Sequence, residues 1–120
     1  MSLYERLGGK AAVDAAVDIF YRKVLADNRV NHFFNNVDMD QQIAKQKNFL
    51  AMAFGGPNNY NGKDLRHGHK HLVQKGLNDN HFNIIVEHLG NTLKELGVPA
   101  NDIQEVASIA ESVRSDILNK

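Results

Sequence analysis

Asp64-Leu65-Arg66-His67-Gly68-His69-Lys70-His71-Leu72-Val73 is the stretch on which the fold class turns. Its three histidines alternate with other residues. Read as a strand, all three point one way, because successive side chains of a strand take opposite faces. Read as a helix, they separate. At about 3.6 residues per turn, His69 joins Leu65, Leu72 and Val73, while His67 and His71 fall on the polar side with Asp64 and Lys75. Little β-branched material is present and the flanking sequence has helical spacing, so the stretch is read as a helix with His69 inward.

Working outward, the same period recurs. From Lys10 to Ala26 the stripe is Val13, Val17, Phe20, Tyr21, Val24 and Leu25. Asn28 to Phe34 is a helical turn or two ending in Phe33-Phe34. Asp38-Met39-Asp40-Gln41 pairs a capping residue with Gln three later, and the helix it opens runs to about Phe54, where Gly55-Gly56-Pro57 stops it. Ser2 and Glu5 have capping-box spacing in a short first turn broken by Gly8-Gly9. After the histidine helix ends near Gly76, Asn78-Asp79-Asn80 caps a helix with the stripe Phe82, Ile85, Val86, Leu89, Leu93 and Leu96, stopped by Gly97. Pro99 sits in the first turn of a last helix that reaches about Leu118, with Ile103, Val106, Ala107, Ile109, Ala110, Val113, Ile117 and Leu118 inward. No strand pattern, repeat or low-complexity tract is present. The reading is all-α, one domain over residues 1–120.

Composition narrows the function. The formal charge is zero, which argues against nucleic acid as a partner, since nucleic acid wants a concentrated basic surface. No block of like charges marks a polybasic membrane patch, and no apolar run is long enough to span a bilayer. The chain has no cysteine, which excludes disulfides, thiolate metal sites and cysteine nucleophiles. Any metal must be held by His, carboxylate or Lys. A cytoplasmic, monomeric protein is expected.

A few residues break the apolar stripes. On the helix after Asp38, Gln42, Lys45 and Gln46 border Met39, Ile43, Phe49, Leu50, Ala53 and Phe54. A buried amide without a partner costs roughly 1–3 kcal/mol, so these residues mark either a wet edge or a small polar site. Tyr21 poses the same choice, since a buried phenol usually finds a partner. A lone inward histidine is more often a satisfied core residue than a ligand, and His67 with His71 supply only two ligands. His32, His81 and His88 are unexplained by spacing. Taken together, an inward His on a short helix can be an axial ligand to haem iron, Phe33-Phe34 can stack on a flat macrocycle, and Tyr21, Gln42, Lys45 and Gln46 can make polar contacts opposite.

The sequence resembles the truncated haemoglobins of the first group, the 2-on-2 globins, over essentially its whole length. The likeness is carried by Leu3-Tyr4-Glu5-Arg6-Leu7-Gly8-Gly9, Phe20-Tyr21, His32-Phe33-Phe34, Asp38-Met39, Gln46-Lys47-Asn48-Phe49-Leu50, Phe54-Gly55-Gly56-Pro57, Leu65-Arg66 to His69, and His81-Phe82. It implies a 2-on-2 helical sandwich around haem b. His69 matches the proximal iron ligand, and Phe34 the phenylalanine that packs on the haem; Phe33, Phe49 and Leu50 are expected contacts beside it. Tyr21 matches the distal tyrosine, and Gln42 and Gln46 match distal polar positions. Tyr21 and Gln46 are the expected catalytic donors. Lys45 stands where some cyanobacterial relatives carry an iron-binding histidine and some algal ones a lysine, which makes it a second candidate iron ligand. Deprotonating an ordinary lysine at pH 7 costs about 4.6 kcal/mol, which an iron–nitrogen bond must exceed. Part of the cyanobacterial branch attaches haem covalently through a histidine of the last helix. Here no histidine follows His88, and Ser115 falls near the equivalent place, so non-covalent haem is expected.

The resemblance further implies O2, NO and CO as ligands. Donors aimed at the charge that O2 acquires on binding slow its release, which suits dioxygenation of NO to nitrate, with a reductase as partner, better than oxygen transport. Non-catalytic O2 binding, storage or sensing uses the same pocket. A haem-free helical interaction module is the third reading.

Overall fold

A computed structural model describes residues 2–57, 73 and 76–118. Among these residues the chain is helical and without strands. In order it forms α1 (Leu3–Leu7), α2 (Lys10–Leu25), a 3-10 turn (Asn31–Phe34), α3 (Met39–Ala53), α4 (Asp79–Glu95), α5 (Ala100–Ser112) and α6 (Arg114–Leu118). None of the described helices is long and apolar enough to cross a membrane. The histidine stretch that decides the sequence reading lies outside the described residues, except for the helical Val73.

Local chemistry sets the helix ends. The Asp38 carboxylate accepts from the amides of Asp40 and Gln41 and so starts α3. At its end, the Gly55 amide donates to the Met52 carbonyl at 3.0 Å and the Gly56 amide to the Ala51 carbonyl at 2.8 Å. That bond pair is a Schellman motif, and Gly55 takes the left-handed conformation it needs, at φ 81°. α4 has a complete capping box in which Asn78 accepts from the His81 amide and the His81 ring accepts from the Asn78 amide. His81, unexplained by spacing, thus does the work usually given to Glu or Gln at that position. Ser2 accepts from the Glu5 amide at 3.2 Å, as the spacing at the start of α1 predicts.

The core lies where α2 crosses α3 and α4. Val17, Val24, Leu50, Leu93 and Val106 are fully enclosed. Burial of this kind supplies the main driving force for the fold. Asp14 of α2 and Lys47 of α3 pair at 3.1 Å across that crossing, and Lys23 of α2 pairs with Glu95 of α4 at 2.9 Å. Both pairs are partly exposed and contribute modestly.

Three sequence expectations need correction. Leu25 is 42% exposed and Leu96 is 39% exposed, although both continue an apolar stripe. Each sits at a helix end where the chain turns away; Val98, not Leu96, closes the end of α4 against Leu93, its amide donating to the Leu93 carbonyl at 3.0 Å. The last helix is not continuous, but breaks at Val113. There the Ser112 hydroxyl donates back to the Ile109 carbonyl, a bond that competes with helix continuation. Arg114 then anchors the short α6, bonding Asp79 at 2.9 Å and lying 4.3 Å over the Phe82 ring.

The two Gly-Gly pairs meet at Tyr4. The Tyr4 amide donates to the Phe54 carbonyl at 2.8 Å, which fastens α1 to the end of α3. A Cβ on Gly56 would fall within 2.8 Å of three Tyr4 ring carbons. Gly56→Ala is therefore expected to destabilise the fold by about 1–3 kcal/mol, the usual cost of overpacking. Urea denaturation measures this, and an unchanged midpoint would mean that the Tyr4 ring does not pack there.

Candidate functional site

Tyr21 stands in the fourth turn of α2, on its buried stripe, and is 5% exposed. Its ring makes near T-shaped contacts with two aromatics, the Phe20 centroid at 5.0 Å and the Phe34 centroid at 5.9 Å. From α3, Gln42 Nε2 donates to the Tyr21 hydroxyl at 3.1 Å. The phenol oxygen is thus an acceptor from Gln42, and its own proton remains available to a further acceptor. Burial pushes the Tyr21 phenol up to about 12, against the smaller opposing effect of the Gln42 bond. The hydroxyl consequently stays protonated, and able to donate, throughout the neutral range.

That shift has a stability consequence. Between the ordinary tyrosine value near 10 and about 12, the unfolded chain loses a proton that the folded chain keeps. Stability supplied by the neutral phenol is fully present below about pH 10 and is lost as pH rises towards 12. Alkaline denaturation of Tyr21→Phe should lack this part of the loss, roughly 2–3 kcal/mol. Parallel alkaline limbs in both proteins would contradict the burial.

The 3-10 turn places Phe33 and Phe34 differently. Phe33 is buried, with the His32 ring at 4.1 Å and the His81 ring at 4.9 Å. Phe34 is half-buried and meets Tyr21 in a near T-shaped contact. On α3, Gln46 is half-buried one turn beyond Gln42, and Lys45 is exposed. Phe49 is buried and Leu50 is wholly enclosed among the crossing helices. The structure therefore brings Tyr21, Gln42 and Phe34 together, with Gln46 on the same helix as Gln42. His69, the candidate iron ligand, lies outside the described residues, as do His67 and His71.

Among the described residues no group of three or more His, Asp or Glu side chains can hold a metal ion by itself. What they do present is a mostly apolar wall with one buried hydroxyl and its amide partner. Those surroundings fit a flat apolar macrocycle carrying a small polarisable ligand.

The sequence leaves one further cluster unassigned. His88 Nε2 lies 2.7 Å from Asp27 Oδ2, joining α4 to the corner after α2. These residues are 61 apart in sequence, and no spacing signal connects them.

Comparison with known proteins bears on the whole chain. The family model for bacterial-like globins matches residues 2–119. A group 1 truncated hemoglobin from Tetrahymena pyriformis is 50% identical over 99% of this chain and 96% of its own length. GlbN, a group 1 truncated hemoglobin from Synechocystis, is 52% identical over 99% of this chain and 98% of its own. Among solved structures, the 2/2 hemoglobin from Synechococcus sp. PCC 7002, in the cyanomet state with covalently attached heme, superposes with a TM-score of 0.91 at 50% identity, covering 100% of both chains. Chlamydomonas reinhardtii THB1 superposes at 0.85 with 44% identity, over 97% of this chain and 95% of its own.

Proposed function

The chain belongs to the bacterial-like globins as a group 1 truncated haemoglobin with the 2/2 fold, and from that premise we propose that it works as a cytosolic, monomeric nitric oxide dioxygenase. Membership implies haem and gas ligands such as O2. The overall reaction joins NO and O2 with one electron to give nitrate, so a cellular one-electron reductase is its partner. Haem iron, when bound, supplies the site that takes and polarises the gas.

The observation that carries the reading is the Gln42–Tyr21 bond. Gln42 occupies the phenol oxygen from α3, so the Tyr21 proton is free to point at a ligand's negative end. Phe20 and Phe34 hold the ring and keep water from its face. Gln46, one turn on, adds a second amide donor. Each charge-assisted bond contributes on the order of 1–3 kcal/mol, which slows gas release and favours reaction over carriage. By the family resemblance His69 would hold the iron, and Phe33, Phe49 and Leu50 would back the cofactor with Phe34. Lys45 is a second iron ligand only if it swings in from its exposed position.

Non-covalent haem is part of this reading, supported by the lack of any histidine after His88, and acidified butanone should strip it from the unfolded chain. CO binds at the same place as O2. The test of function is to mix the O2 form with NO and count nitrate. One nitrate per haem is expected, with turnover sustained by an added reductase. Displacement of O2 without nitrate would leave non-catalytic O2 binding, storage or sensing.

A further inference from the structure

We infer that His88 is a positioning residue for the wall that carries Tyr21: through Asp27 it fixes the 3-10 turn that seats Phe34 against the Tyr21 ring. The inference rests on the reading of Tyr21 as the donor to bound gas. It begins with a weak element. The turn Asn31–Phe34 has four residues and no side-chain cap of its own. Short 3-10 turns have poor hydrogen-bond geometry and need outside support. Their position is therefore set by whatever holds their entrance.

Here that entrance is Asp27. Its carbonyl accepts from the amides of Val30 at 3.1 Å and Asn31 at 2.9 Å. Its carboxylate accepts from the Arg29 amide at 2.9 Å and from Arg29 Nη2 at 2.6 Å. Arg29, ahead of His88, holds that carboxyl well below the usual carboxylate range, so it is ionised and can only accept. The proton in the 2.7 Å contact must then sit on His88 Nε2, and the imidazole donates whether neutral or charged.

The other end of this bond is firm. α4 is capped at both ends, by Asn78 with His81 and by the Gly97–Val98 motif. The Thr92 hydroxyl, fully buried, donates to the His88 carbonyl at 2.8 Å. The two partners are mostly shielded, with His88 14% and Asp27 11% exposed at the side chain, so solvent competes weakly for the bond. A second contact from α4, the His81 ring on Phe33, steadies the same turn. α4 therefore holds the corner at two points, and Phe34 carries the result to Tyr21.

The test compares wild type, His88→Leu and His88→Gln in the haem-loaded protein, with Tyr21→Phe alone and combined with His88→Leu. Three readouts are needed: amide exchange of residues 28–35, the C–O stretching frequency of the CO form, and the O2 dissociation rate. His88→Leu should speed exchange at residues 28–35, shift the C–O stretch towards that of Tyr21→Phe, and raise the O2 dissociation rate about 3- to 10-fold. His88→Gln retains an N–H donor and should restore all three to near wild type. In the Tyr21→Phe background His88→Leu should add nothing to the rate. Asp27→Ser cuts the same bond from the other end and should give the same direction if His88→Leu fails to fold. Unchanged exchange in His88→Leu overturns the inference, as does an equal effect on the rate with and without the Tyr21 hydroxyl. An unchanged rate in Tyr21→Phe itself overturns the donor reading, while the exchange readout still reports on the turn separately.

Discussion

Tyr21→Phe should raise the O2 dissociation rate by about 10- to 100-fold, which corresponds to roughly 1.4–2.7 kcal/mol. The substitution is a clean one. Phe retains the ring that packs between Phe20 and Phe34, so the wall keeps its shape. Only the hydroxyl is lost, and with it a donor lodged in apolar surroundings, where a hydrogen bond to developing charge is stronger than in water. Two effects limit the change. Gln42 Nε2 loses its acceptor when the hydroxyl goes and can turn towards the ligand in its place. Gln46 remains one turn away on α3. Tyr21→Phe combined with Gln42→Leu should therefore release O2 faster than either single variant. Flash photolysis or stopped-flow displacement by CO measures the rates, and a single-variant rate within twofold of wild type would remove Tyr21 from the account.

How much of this was legible in the sequence depends on the range of the interaction. Periodicity alone placed Val13, Val17, Phe20, Tyr21 and Val24 on the buried face of α2, because one apolar stripe needs only local spacing. It failed at Leu25 and Leu96, since the period continues in the residues after the helix has stopped burying them. Capping at Asp38 and the stop at Gly55-Gly56 were readable for the same local reason. The capping role of His81 was missed, because His is an uncommon choice at a position that usually carries Glu or Gln.

The site was only half legible. Spacing could point Tyr21 inward and put Gln42 on the border of α3, yet their 3.1 Å bond depends on how α2 crosses α3. The resemblance, not the pattern, gave these residues their roles. The Asp27–His88 bond was invisible for a simpler reason: it joins residues whose neighbourhood exists only once α4 has packed against the end of α2. The break at Val113 likewise turns on Ser112 and Arg114 finding partners that no stripe records.

The proposal stands on His69 as the residue through which this chain would hold haem, with Tyr21 as the donor to bound gas. The most direct measurement is the absorption spectrum of the ferrous, haem-loaded protein with His69→Gly, before and after adding imidazole. Glycine at position 69 would leave room for free imidazole to take the place of the lost side chain. The account predicts that the substitution abolishes the wild-type ferrous spectrum and weakens haem retention, and that imidazole restores the spectrum. A His69→Gly protein whose ferrous spectrum matches wild type without imidazole would contradict it.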